Sequence, residues 1–162
     1  MSLQVFYPQM SNISKGFAVV LSIFTFFYLM SKLDSIVHGT LYHYGLRFSF
    51  EWANEYWVTY TAIFIAFSVI VGLFYWLGSN RTVDDLKISI ALVATVNILM
   101  MGGLADIMFF IFWGGGLPPN DIIWWWVPWN SVFGVWNSSM QSILVIAALF
   151  ITTFLWIRMI EK

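Results

Sequence analysis

Apolar residues in this chain run in long blocks, without the period-two alternation of a half-buried strand. Each block is close to the ~20 residues that a helix needs to cross a bilayer core. The clearest covers 56–78, YWVTYTAIFIAFSVIVGLFYWLG, and holds no charged residue. Three further blocks cover about 16–38, 88–113 and 130–157; the second of these encloses Asp106, and the last is polar at its start and strongly apolar after Ser142. The pattern predicts an all-α integral membrane protein, a four-transmembrane-helix bundle forming a single transmembrane domain over residues 1–162. The first block has the length of a signal-peptide core. The polar leader before it and the lack of a small-residue cleavage pattern after it make it a retained first helix.

The polar punctuation between blocks is uneven. Between the second and third lies SNRTVDDLK, where the Thr82 to Asp85 spacing fits a helix N-terminus with acids in the first turn. Between the third and fourth lies GGGLPPNDIIWWWVPW, whose glycines and prolines end a helix before four tryptophans. Tryptophan favours the membrane interface, which predicts this loop at lipid headgroup level. The stretch DSIVHGTLYHYGLRFSFEWANE between the first two blocks carries both histidines of the chain and three of its eight acidic residues. Lys15, Arg81, Lys87, Arg158 and Lys162 fall on one side of the predicted bundle, and Lys32 and Arg47 on the other. The positive-inside rule then puts both termini in the cytoplasm, as expected of a multi-pass protein of the cell membrane, and gathers the polar chemistry at the outer face.

Composition narrows the function classes. The chain is 60% hydrophobic and 9% charged with a net charge of -1, so no basic face is available for nucleic acid. Cysteine is absent, which removes disulfides, iron–sulfur clusters, thiolate nucleophiles and Cys-based zinc sites. Bis-His haem within one chain is also disfavoured, because His38 and His43 are the only histidines and a helix cannot place them on opposite faces of one haem. No nucleophile elbow, phosphate loop, HExxH or dinucleotide fingerprint is present.

Candidate chemistry concentrates in few residues. Asp34 and His38 are spaced i, i+4, so on a continuing first helix they project from one face within reach of a common metal ion. A complete site needs at least a third ligand, and His43, Glu51, Glu55 and Asp106 are the available ones. The competing account is a hydrogen-bonded Asp–His pair near the interface. Glu51 and Glu55 repeat the spacing before the second helix, where the helix dipole alone explains them. Asp106 is the most informative single residue, since an ionisable group within a membrane helix faces a protein interior, a partner or a water cavity. Gly102 and Thr95 share its face, and Asn130, Asn137, Ser138 and Gln141 supply a polar stripe on the fourth helix. Met100, Met101 and Met108 are soft donors nearby, though methionine is also ordinary membrane filling.

Two families share patches of this sequence. FEWANEYWVTYTAIFIAF resembles the second-helix entry of the A subunit of particulate methane and ammonia monooxygenases, and FFIFWGGGLPPNDIIWWWVPW resembles a later aromatic loop of the same subunit. The pair Asp34 and His38 is similar to the Asp-x-x-x-His opening of the metal site in the C subunit, whose third ligand is a second histidine; here His43 stands closer to His38 than that histidine does. The resemblance implies a helical subunit of a larger copper-dependent complex. A second similarity is to the four-helix sterol-isomerase and sigma-2-receptor-like group, in which acids comparable to Glu55 and Asp106 face an apolar ligand beside aromatic side chains.

Three functions follow as expectations. The first is a subunit of a metal-dependent, copper-using oxidoreductase with Asp34, His38 and His43 as ligands and Asp106 shaping the site. The second is a ligand-binding or isomerase bundle with Glu55 and Asp106 as acid and base in a dry pocket on a lipid-like or sterol-like ligand. The third is a structural subunit whose acids are satisfied by neighbouring chains. The little interior of such a bundle and its aromatic outer surface imply oligomerisation or other membrane subunits as partners, beside the lipid bilayer itself.

Overall fold

The computed structural model describes residues 12–45 and 50–160, the side chains of 12–16, 50–53 and 160 excepted. Arg47 and Lys162, and the side chains of Lys15 and Glu51, lie outside the described residues. The chain is all-helical there: α1 covers Asn12–His43, α2 Phe50–Leu77, α3 Val83–Met101, α4 Leu104–Phe112, α5 Pro128–Phe133 and α6 Ser138–Ile160. Three helices, α1, α2 and α6, are long and apolar enough to cross a membrane, and α3 with α4 makes a fourth if that bent pair is one span. This is the make-up of a multi-pass membrane protein.

On α1 the buried side chains Ile23, Phe27, Met30, Ser31 and Asp34 fall at helical spacing, while Val20, Leu21, Phe24 and Leu29 point outward. Outward-facing apolar residues suit a lipid surround, where lipid tails satisfy what water would penalise. Helix association then rests on close packing and hydrogen bonds. Between α2 and α3 the backbones approach at Gly72, where a Cβ would lie 2.7 Å from Val93. Ser89 Oγ donates to the Gly72 carbonyl (2.7 Å) and Asn97 Nδ2 donates to Ser68 Oγ (2.9 Å). Helix α3 meets α6 at Gly102, where a Cβ would lie 2.4 Å from that of Ala148, and Trp156 Nε1 donates to Thr95 Oγ1. Large rings join α1 to α2: Phe26 stacks on Phe67 with centroids 3.7 Å apart, and Phe27 meets Phe64 at 5.0 Å.

The predicted N-terminal signal of the third helix is present, one turn earlier than the apolar block suggests. Thr82 accepts from the Asp85 backbone N–H and the Asp85 carboxylate accepts from the Thr82 N–H, a reciprocal capping box that starts α3 at Val83. The single helix expected over about 88–113 is broken. It bends by 59° at Gly102–Gly103, where Gly103 takes a left-handed φ of +75°. Lipid supplies no donor for a carbonyl released by such a break. Gln141 of α6 supplies one instead: its Nε2 donates to the Gly102 carbonyl (2.8 Å) while its Oε1 accepts from Trp136 Nε1 (2.7 Å). Gln141 is 1% exposed, so its side chain plugs the break.

The helix expected over about 130–157 is also divided. Pro128 opens α5, Gly134 closes it at φ +74°, and the Asn137 carbonyl oxygen of the side chain accepts from Met140 N–H (3.1 Å) to start α6. The polar stripe from Asn130 to Gln141 is therefore not one helical face. Asn137, Ser138 and Gln141 cap α6, bond the 118–120 turn and hold the Gly102 carbonyl rather than meeting Asp106 as a row.

Candidate functional site

One cavity of about 340 Å³ lies where α1, the start of α2, α4 and the tryptophan loop come together. Asp34 and His38 reach it from α1, Asp106 and Phe109 from α4, Tyr56 and Trp57 from α2, and Trp125 and Trp126 from the loop. The loop is held over the site because Trp57 Nε1 donates to the Trp126 carbonyl, while Trp124 and Trp126 stack 5.6 Å apart behind it. Trp124 is fully buried, in a cluster with Val127 and Trp136 that anchors this lid to the bundle.

Asp34 is 7% exposed. The Tyr60 hydroxyl lies beside its carboxylate, and its Oδ1 has no hydrogen-bond partner among the described residues. An unpaired buried carboxylate oxygen is costly, so a donor from a ligand or water is what the position calls for. Asp106 sits in the first turn of α4, with Gly103 at the N-cap. It lies near enough to Asp34 for the two carboxyl groups to influence each other.

His38 Nδ1 lies 2.9 Å from the backbone carbonyl of Asp34, not from its carboxylate. A carbonyl only accepts, so Nδ1 carries the proton of this pair. The imidazole rests between Phe109, at 5.7 Å, and Tyr56, at 6.3 Å between ring centroids.

Asp34, His38 and Asp106 thus face a common cavity, whereas Glu55 and His43 are exposed and do not line it. His43 ends α1 and packs its ring on Tyr44. Among the described residues no three carboxylate or imidazole side chains gather in one metal-sized cluster. Met108 is buried in the core, and Met100 and Met101 border a second cavity.

Tyr60 is the participant that spacing alone does not single out. It pairs with Asp34 across two helices, and its only local signal is the i, i+4 repeat with Tyr56. Lys32 and Trp113 form a second cross-helix contact, with the ammonium 3.9 Å from the ring centroid and Trp113 Nε1 donating to Ser31 Oγ (3.2 Å). Compared with known proteins, the chain matches no family model, no curated protein and no solved structure.

Proposed function

We propose that this protein binds an apolar ligand in the aromatic cavity on the outer side of the membrane, with Asp34 and Asp106 as the polar pair that recognises it or exchanges protons with it. The observation that carries this reading is that two carboxylates from different helices line one ring-walled cavity within an otherwise apolar bundle. Such a cavity, mostly apolar with a few convergent polar groups, is the usual form of a small-molecule site. Of the acid–base couple expected from the sequence, Asp106 keeps its place; Asp34 takes the one given to Glu55, because it lines the cavity and Glu55 does not. Extraction of the purified protein followed by mass spectrometry is expected to yield one dominant apolar compound. A protein that carries only bulk phospholipid, in wild type and Asp106→Asn alike, would count decisively against the proposal.

In this reading the chain crosses the membrane four times, with α3 and α4 as one bent span and both termini in the cytoplasm. The orientation is favoured further by the position of Lys32. It lies inside α1 and its ammonium rests on Trp113, so it weighs less as a loop charge than its place in the sequence implies.

A metal-dependent oxidoreductase subunit is the second reading, favoured by one observation: Asp34, His38 and Asp106 line the same cavity. Drawn together around an ion, two carboxylates and an imidazole would suit iron, manganese or zinc better than copper(I). Elemental analysis of wild type beside His38→Ala distinguishes the two readings. Stoichiometric metal lost on the substitution supports the metal site, and metal-free protein that still carries the apolar compound supports the ligand site.

A further inference from the structure

A second cavity, of about 280 Å³, lies against the first. Trp57 and Asp106 line both. On α2 the two are reached from different flanks, since Tyr56 borders the first and Thr61 and Ile65 the second. At 100° per residue Tyr56 and Thr61 point about 140° apart around the helix, with Trp57 between them. A molecule occupying both cavities therefore turns around the Trp57 side chain.

Size argues in the same direction. Pockets that hold a drug-sized ligand run roughly 300–1,000 Å³. The first cavity, at about 340 Å³, is at the low end and the second, at about 280 Å³, falls short of it, whereas the two joined lie well inside the range. The polar groups facing them combine the indole and hydroxyl donors of Tyr56, Thr61, Trp125, Trp126 and Trp129 with a few buried acceptors. The first cavity has Asp34, with its unpartnered Oδ1, and Asp106 stands between the two. In the second, Asn97 spends its amide nitrogen on Ser68 Oγ and the Val93 carbonyl, which leaves the amide oxygen as its remaining polar face. The unpartnered Asp34 Oδ1 calls for a ligand that brings a donor to that end, such as a hydroxyl, which can also accept from a neighbouring N–H or O–H.

Resting on the ligand-binding reading above, we propose that the two cavities form one bent site whose ligand is a flexible long-chain lipid alcohol, its hydroxyl end at Asp34 and Asp106 and its chain continuing past Trp57 between α2 and α3. The turn at Trp57 excludes a rigid planar skeleton of the same length. Ile65 and Met100 provide the apolar wall for the distal chain.

The test uses the full-length protein in lipid nanodiscs and two long-chain primary alcohols, one with a photoactivatable diazirine near the hydroxyl and one with it at the tail. Crosslinked sites are mapped by mass spectrometry with and without excess unlabelled alcohol. The expected result is saturable labelling at Phe109 by the first probe and at Ile65 or Met100 by the second. In Thr61→Trp, which fills the second cavity, tail labelling falls severalfold while labelling at Phe109 persists. The wild-type map stands by itself if that variant does not fold. Saturable labelling by both probes confined to the first cavity overturns the bent site but leaves the ligand-binding reading intact. No saturable labelling by either probe overturns the bent lipid-alcohol site, while the ligand-binding reading stands or falls on the extracted compound.

Discussion

Gln141 satisfies a carbonyl that the membrane would leave bare. Removing one partner of a buried hydrogen bond leaves the other unsatisfied, at about 1–3 kcal/mol. Gln141→Leu keeps the volume but strands both the Gly102 carbonyl and Trp136 Nε1. The substitution is expected to lower the unfolding free energy in mixed micelles by about that amount, and an unchanged denaturation midpoint would show that water or lipid takes over the role. Gly103→Ala is expected to be at least as damaging. A left-handed backbone costs a side-chain-bearing residue on the order of 1–2 kcal/mol, and the added Cβ would overlap the Gln141 amide. At this scale legibility follows sequence distance. The Thr82–Asp85 capping box is readable because both partners sit within one turn, and Asp34, His38 and Asp106 stand out because charge is rare in apolar blocks. The bond of Gln141 to Gly102 and the meeting of Tyr60 with Asp34 join residues far apart in sequence, and no local pattern announces them.

Element boundaries follow the same logic. Hydrophobic blocks reveal where helical, membrane-compatible stretches lie, but 88–113 reads as one helix because its residues are apolar or small apart from a few such as Asn97 and Asp106, and neither glycine stops the pattern. What divides α3 from α4 is the pair Gly102–Gly103 acting with α6, whose Ala148 and Gln141 fill the space that side chains there would need. Gly102→Ala sets two Cβ atoms within van der Waals overlap, an overpacking cost of typically about 1–3 kcal/mol. Combining Gly102→Ala with Ala148→Gly exchanges the methyl group across the interface and is expected to recover most of the loss. If the double substitution is as unstable as the sum of the single ones, close packing of α3 on α6 is not what sets the bend. The break matters for the site because α4 carries Asp106 and Phe109 to α1, where they meet Asp34 and His38.

Across the whole molecule, the arrangement sorts by chemistry: lipid-compatible side chains outward, small and polar residues between α2, α3 and α6, and the two carboxylates beneath a tryptophan lid. Topology can be checked directly because the chain has no cysteine of its own. A cysteine introduced at Ser79 is expected to react with membrane-impermeant maleimide only in inverted vesicles, and one at Ser131 only in intact cells; the reverse pattern would invert the proposed orientation. The central claim is that Asp34 and Asp106 hold an apolar ligand. It is tested most directly by native mass spectrometry of the protein released from detergent, wild type beside the Asp34→Asn/Asp106→Asn double variant, with helical content of both verified by circular dichroism. The account predicts one dominant bound mass on the wild type that is missing from a folded double variant. The same adduct on both proteins, or none on the wild type, would contradict it.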